Sequence, residues 1–99
     1  MTNTSIQPDL TPEAPAEAQT AGPPAAEAGG ILTVDLAALE ANWRALGRRV
    51  MPSECSAVIK ADAYGCGIEP VAARLSRAGC KTFFVADLAE ARRARSAAP

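Results

Sequence analysis

The chain has 99 residues, a formal net charge of −1 and no histidine. Its first thirty residues hold five of the eight prolines and no Lys or Arg, so their net charge is −4 and that of the remainder is +3. A segment of this composition cannot bury enough apolar surface to offset its ordering entropy. Residues 1–30 are therefore predicted to be a disordered Ala/Pro/Glu-rich tail, and residues 31–99 the folded part.

Several classes of function are not indicated. The arginines recur at helical spacing without interleaved aromatic side chains, which is typical of solvated helix faces rather than a nucleic-acid surface. Three cysteines without a C-x-x-C pair, in a chain without histidine, predict neither a metal site nor a disulfide framework. No apolar run is long enough to span a membrane and no signal peptide is evident, so a cytoplasmic protein is predicted. The residues concerned are Arg44, Arg48, Arg74, Arg77, Arg92, Arg93, Cys55, Cys66 and Cys80.

The first predicted elements are a strand and a helix. Ile31–Val34 is a short run of β-favouring residues, and Asp35 can cap the helix that follows. Apolar residues at steps of three and four define one helix face, and Pro52 ends the pattern. That face carries Leu36, Leu39, Trp43, Leu46 and Val50.

A second strand, Ser56–Ile59, is small, branched and apolar, as expected for a strand covered on both faces, and it ends at Lys60. The glycine-bearing segment after it predicts a βα loop. Pro70 suits the first turn of the next helix, and Gly79 suits its left-handed C-terminal cap.

Thr82–Ala86 is another predicted buried strand, and Asp87 with Glu90 forms a variant capping box that opens a third helix. Two strands bridged by a helix should be parallel, with a right-handed crossover. The fold class is therefore α/β. The sequence up to Pro99 contains no third apolar run that would form a core strand. The pattern therefore predicts the beginning of a larger fold.

Lys60 lies where a strand passes into a loop, the position at which α/β barrels and open sheets gather catalytic groups. A Schiff-base lysine needs a neutral amine that can attack an aldehyde, and desolvation at the end of an apolar run would favour that form. Tyr64, between Lys60 and the flexible Gly65 and Gly67, could bind a phosphate oxygen. The alternatives are a solvated strand-end lysine and a tyrosine that packs on the core.

The segment Ala57 to Gly67 closely resembles the cofactor-lysine signature of alanine racemases. Val34–Leu39 with Asn42 resembles the opening strand and helix of that family, and Phe84–Ala86 with Glu90–Ala91 resembles its second barrel strand and the following helix. The resemblance covers residues 31–98. It implies the beginning of a TIM-type (β/α)8 barrel, a C-terminal β domain outside this stretch, and a homodimer.

The resemblance also implies a function. Lys60 would form the Schiff base with pyridoxal 5′-phosphate and exchange the α-proton on one face of alanine, and Tyr64 would contact the cofactor phosphate. The enzyme would interconvert L- and D-alanine for cell-wall peptidoglycan. Cys66 departs from the family pattern, which usually has histidine there, and its simplest role is to fill a tight loop.

The family's second base is a tyrosine in the C-terminal domain of the partner subunit, so the 99 residues are expected to be inactive alone. The alternatives that remain open are a broader racemase or a related decarboxylase, a non-catalytic protein that binds pyridoxal phosphate, and a non-functional truncated product.

Overall fold

The computed structural model describes residues 22–99, so residues 1–21 of the predicted tail lie outside the described part. The chain divides into two compact units at Thr33 and Val34. In the first unit the only described element is one turn of 3-10 helix, Ala25–Glu27. The predicted strand Ile31–Val34 is wrong, because this run adopts no regular structure and pairs with no described strand. Ile31 and Leu32 are 70% and 81% exposed.

The second unit opens with helix α1, Leu36–Val50. The prediction of an Asp35 cap is confirmed, since its carboxylate accepts a hydrogen bond from Ala38 N at 3.0 Å. Leu36 is buried and Trp43 is half-buried, with its indole N–H donating to the Cys55 carbonyl at 3.1 Å. The predicted apolar face is therefore covered near the start of α1, whereas Leu46 is 57% exposed.

Two short strands, β1 (Ala57–Val58) and β2 (Phe83–Phe84), form a parallel pair in which Ala57 lies opposite Phe83. Ala57 N donates to the Thr82 carbonyl at 3.0 Å, and Ile59 N donates to the Phe84 carbonyl at 2.8 Å. The predicted parallel arrangement is confirmed, with strands shorter than the apolar runs suggested.

Three helical segments complete the unit: α2 (Lys60–Tyr64), α3 (Ile68–Ala78) and α4 (Leu88–Ala97). The predicted caps of the two longer helices are confirmed. Gly79 ends α3 at φ 114°, and the Asp87 carboxylate accepts a hydrogen bond from Glu90 N at 2.9 Å. None of the helices in residues 22–99 is long and apolar enough to cross a membrane.

The core lies on one face of the strand pair, between the sheet and helices α1, α3 and α4. Its largest fully buried side chains are Ile59, Ile68 and Val71. On the other face, Val58 is 49% exposed and Phe84 is 55% exposed. The prediction that β1 is covered on both faces is therefore wrong for the described residues, which supply a layer on one face only.

Candidate functional site

Lys60 lies at the carboxyl end of β1, as the sequence predicts. The residue before it, Ile59, is 1% exposed and is held to β2 by its backbone N–H. Lys60 itself is exposed, so the expected desolvation of its amine is wrong within the described residues. Because the carboxyl end of parallel strands is the edge at which α/β proteins place reactive groups, the amine has both a rigid base and access to a ligand.

The segment after Lys60 is a left-handed helical turn, not the loop that the glycines predict. Ala61, Asp62 and Ala63 have φ of 52°, 56° and 56° with ψ of 49°, 44° and 46°, and Tyr64 has φ of 55°. These are the dihedral angles of the left-handed helix, which residues other than glycine rarely adopt in succession. Four consecutive non-glycine residues in this region are a strong local anomaly.

This turn is energetically costly. The left-handed conformation costs about 1–2 kcal/mol for each non-glycine residue, or about 4–8 kcal/mol for four. The whole stability of a unit of about 66 residues is only about 3–10 kcal/mol. The strain is therefore comparable to the stability of the fold, and the turn must be held by contacts with its surroundings.

Part of that support comes from packing and backbone hydrogen bonds. Ala63 is 6% exposed and belongs to the core. Gly65 N donates to the Ala61 carbonyl at 3.0 Å, and Gly67 N donates to the Asp62 carbonyl at 2.8 Å. Gly65 and Gly67 have φ of 87° and 96°, so the chain leaves the turn through residues for which positive φ carries little penalty.

Asp62 ties the turn to helix α3. Its Oδ1 atom accepts a hydrogen bond from Ile68 N, the first residue of α3, at 3.0 Å. The same atom lies 2.6 Å from Arg93 Nη2. The pKa of Asp62 is lowered, first by the Ile68 backbone hydrogen bond and then by Arg93, while partial desolvation opposes the shift. Asp62 is thus an ionised cap on a neighbouring helix.

Arg93, on α4, is held in place by a two-point ion pair with Glu69. Its Nε lies 2.8 Å from Glu69 Oε1 and its Nη2 lies 2.7 Å from Glu69 Oε2. The Arg93 guanidinium lowers the pKa of Glu69, and the two carboxylates raise the pKa of Arg93. The fork geometry fixes the plane of the guanidinium group, and Nη2 of the same group also donates to Asp62.

Glu90 joins the turn to the start of α4. Its Oε2 accepts a hydrogen bond from Ala86 N at 2.8 Å, and its Oε1 accepts one from Asp62 N at 3.3 Å. The predicted capping box is thus modified, because the Glu90 carboxylate bonds Ala86 N rather than the backbone of the cap residue Asp87. Its second oxygen reaches the residue two positions after Lys60.

Tyr64 ends the same turn and its side chain is 64% exposed. A tyrosine that packs on the core would be buried, so the packing alternative does not hold among the described residues. The structure places Tyr64 and Lys60 at the two ends of one five-residue segment. Cys66, a free thiol, is half-buried and packs against the core, as expected for a residue that fills a tight loop.

The sequence patterns do not indicate three residues of this arrangement as parts of a site: Asp62, Glu90 and Arg93. Spacing presents Glu90 as a helix cap and Arg93 as part of a solvated face. Arg93 is partly exposed, but its two carboxylate partners come from α2 and α3. Spacing along its own helix gives no sign of partners that lie 24 and 31 residues away.

Together, the fold and the site define an α/β protein in which an exposed lysine ends a parallel strand and begins a strained turn. The family model described as alanine racemase, N-terminal domain, matches residues 34–99. The chain therefore belongs to the alanine racemase family, and its βαβ unit is the beginning of that family's TIM-type barrel.

Individual relatives agree. The chain is 62% identical over 68 residues to the alanine racemase of Methylobacterium nodulans, covering 69% of this chain and 18% of the relative. It is 56% identical over 64 residues to that of Brucella ovis, covering 65% and 16%. A crystal structure of alanine racemase from Bartonella henselae with covalently bound pyridoxal phosphate matches at TM-score 0.65 and 48% identity, covering 67% of this chain and 18% of that one. The chain thus spans about a fifth of the length of these relatives.

Proposed function

We propose that this chain supplies the cofactor-binding lysine of a pyridoxal-phosphate-dependent alanine racemase, which interconverts L- and D-alanine for cell-wall synthesis in the cytoplasm. The observation that carries the proposal is the position of Lys60, exposed at the carboxyl end of a parallel strand that is covered on one face, and followed by a left-handed turn that carries Tyr64. Membership of the alanine racemase family supports the substrate.

The donor set fits this cofactor. A primary amine can bind the aldehyde covalently, and a phenol can donate a hydrogen bond to a phosphate oxygen. Both groups are exposed and belong to the same segment, Lys60–Tyr64. The space around Gly65 is open, since a Cβ built there meets no atom within 4 Å. Lys60 would hold the aldehyde end and Tyr64 the phosphate end.

When bound, pyridoxal phosphate supplies an electron sink that stabilises negative charge at the α-carbon of an amino acid. The role of Lys60 is then proton transfer. Its amine would remove and return the α-proton on one face of the substrate. Burial of Ile59 fixes the backbone from which that amine extends, so the reach of the amine depends on the side chain alone.

Racemisation requires a second proton-transfer group on the opposite face. With Tyr64 assigned to the phosphate, that group has to come from outside the Lys60–Tyr64 turn. The family resemblance assigns it to a tyrosine of the partner subunit, so we propose that the active enzyme is a homodimer. The 99-residue chain by itself is expected not to racemise alanine.

A chimera tests this function directly. Residues 34–99 would replace the matching segment of the Methylobacterium nodulans racemase, to which they are 62% identical over the aligned stretch. The chimera should produce D-alanine from L-alanine, Lys60→Ala should abolish turnover, and Lys81→Ala, the control at the other lysine, should preserve it. A folded chimera that turns over equally well with Lys60→Ala would refute the proposed role.

A further inference from the structure

Two side chains of α4 contact the turn that follows Lys60. Glu90 and Arg93 lie three residues apart on α4, and both reach Asp62. Glu90 accepts the backbone N–H of Asp62, whereas Arg93 donates to its carboxylate. Helix α4, which follows β2, therefore contacts Asp62 at both its backbone and its side chain. These two contacts, from Glu90 and Arg93, form the Asp62 grip.

We propose that Glu90 and Arg93 are positioning residues that keep α2 left-handed and thereby fix the orientation of the Lys60 amine relative to the Tyr64 phenol. This inference rests on the proposed function only in taking Lys60 and Tyr64 as the cofactor-binding pair. Neither Glu90 nor Arg93 has to touch cofactor or substrate for the proposal to hold.

The proposal depends on the left-handed backbone conformation of α2. Hydrogen bonds such as Ala63 N to the Ile59 carbonyl, at 2.9 Å, close a helical turn of either hand. Because the right-handed form avoids the steric cost, these local bonds alone would favour it. The left-handed form must therefore be selected by contacts with groups outside the turn, and a reversed turn would redirect the N–H and carboxylate of Asp62 away from Glu90 and Arg93.

Both residues of the grip, Arg93 and Glu90, are themselves held in place by neighbouring groups. Glu69, from the first turn of α3, fixes the Arg93 guanidinium through the two-point ion pair. Ala86 N holds the second oxygen of Glu90 at 2.8 Å. The side chains of Arg93 and Asp62 are 43% and 48% exposed, so solvent screening makes each ion pair weak alone. Several weak contacts on one residue nevertheless act together, because all of them require the same backbone hand.

Amide hydrogen exchange on the 99-residue chain tests the grip without any cofactor. The informative amides are those of Asp62, Gly67 and Ile68, whose bonds involve residue 62. The reference amides are those of Ala57 and Ile59, which belong to the β1–β2 ladder. Arg93→Ala should accelerate exchange at Gly67 and Ile68 by about threefold to tenfold and leave the reference amides unchanged.

Three further variants sharpen the measurement. Glu90→Gln retains one oxygen and should accelerate exchange chiefly at Asp62. Arg93→Lys, which keeps the charge but loses the fork, should give an intermediate effect. Arg92→Ala removes the same charge from an exposed neighbouring position on α4 and should change none of these amides. Equal acceleration at Ile59 and Ile68 would show a general loss of stability and overturn the inference, as would unprotected Gly67 and Ile68 amides in the parent chain.

A second measurement links the grip to Lys60. The chain has only two lysines, Lys60 and Lys81. After incubation with pyridoxal phosphate and borohydride reduction, peptide mass spectrometry gives the ratio of labelled Lys60 to labelled Lys81. Arg93→Ala should lower that ratio at least threefold and Arg92→Ala should not. An unchanged ratio in Arg93→Ala would overturn the positioning role. Absence of any Lys60 preference in the parent chain would instead count against the proposed function, and hydrogen exchange would still decide the grip.

Discussion

The Oδ1 atom of Asp62 lies 3.0 Å from the backbone nitrogen of Ile68, so a residue of the strained turn caps the helix that follows it. Ile68 has no exposed surface, which makes this helix start part of the core. The conformation of the residues after Lys60 is thereby coupled to the packing of the fold. A change in either should be measurable in the other.

Acid should weaken this coupling in a defined range. The pKa values of Asp62 and Glu69 lie below their ordinary values of 3.8 and 4.5 in the folded chain. Each carboxylate binds its proton less readily when folded, so its stabilisation is complete above the ordinary value and is lost as pH falls through the lower folded one. The urea unfolding midpoint should stay level from about pH 7 to 5 and fall below about pH 4.

Arg93→Ala provides the comparison for that experiment. The Arg93 guanidinium is the first cause of the lowered pKa of Glu69 and a secondary cause of that of Asp62. The difference between variant and parent midpoints, followed by circular dichroism, should therefore be largest near neutral pH and shrink below about pH 4. A difference that stays constant across this range would contradict the assignment.

Gly67 should tolerate substitution poorly. It has φ of 96°, and an added Cβ would lie 3.1 Å from Pro70 Cγ. Gly67→Ala should destabilise the chain by about 1–3 kcal/mol, through backbone strain and close contact together. Pro70→Ala in the same chain should recover the contact part only. Urea unfolding of the two single variants and the double variant separates these contributions.

Gly47→Ala is a control that should raise the free energy of unfolding, whereas Gly67→Ala should lower it. Gly47 lies inside α1, where an added Cβ would sit at an ordinary 3.7 Å from Cys55 Cβ. Alanine is a better helix former than glycine, so this variant should be more stable by about 0.5–1 kcal/mol. If Gly67→Ala proved equally favourable, the left-handed exit from the turn would be in doubt.

Much of the fold follows from local sequence signals. Three predicted helix caps are found in the structure. The side chains of Asp35 and Asp87 cap the starts of α1 and α4, and Gly79, which has no side chain, ends α3. The parallel strands also follow, since two apolar runs flank one amphipathic helix. These predictions succeed because each depends on neighbouring residues or on a short periodic pattern. The predicted strand Ile31–Val34 fails because β propensity alone does not provide a partner strand.

The hand of α2 could not be predicted. Alanine carries no signal for a left-handed turn and aspartate only a weak one, and the neighbouring glycines indicate only that the chain bends. Contacts with Glu90 and Arg93, which lie 28 and 31 residues from Asp62, favour the left-handed form. The position of Lys60 can be predicted from the sequence. The orientation of the residues after it cannot, because it depends on contacts between residues far apart in the chain.

Tyr64 should matter for the phosphate and not for the aldehyde. Tyr64→Phe removes the phenolic donor from an exposed ring and should leave folding nearly unchanged. Loss of one hydrogen bond to a charged group should lower labelling of Lys60 by pyridoxal phosphate about tenfold. Labelling by pyridoxal, which has no phosphate, should be the same in parent and variant. Equal losses with both reagents would place Tyr64 near the aldehyde instead.

The most direct measurement is the distribution of pyridoxal phosphate between the two lysines of the parent chain. Both Lys60 and Lys81 are exposed, so accessibility alone predicts similar labelling. If Lys60 is the cofactor lysine, reductive trapping followed by peptide mass spectrometry should place most of the label on Lys60, and excess inorganic phosphate should reduce that preference. Equal labelling of the two lysines, insensitive to phosphate, would contradict the assignment of Lys60.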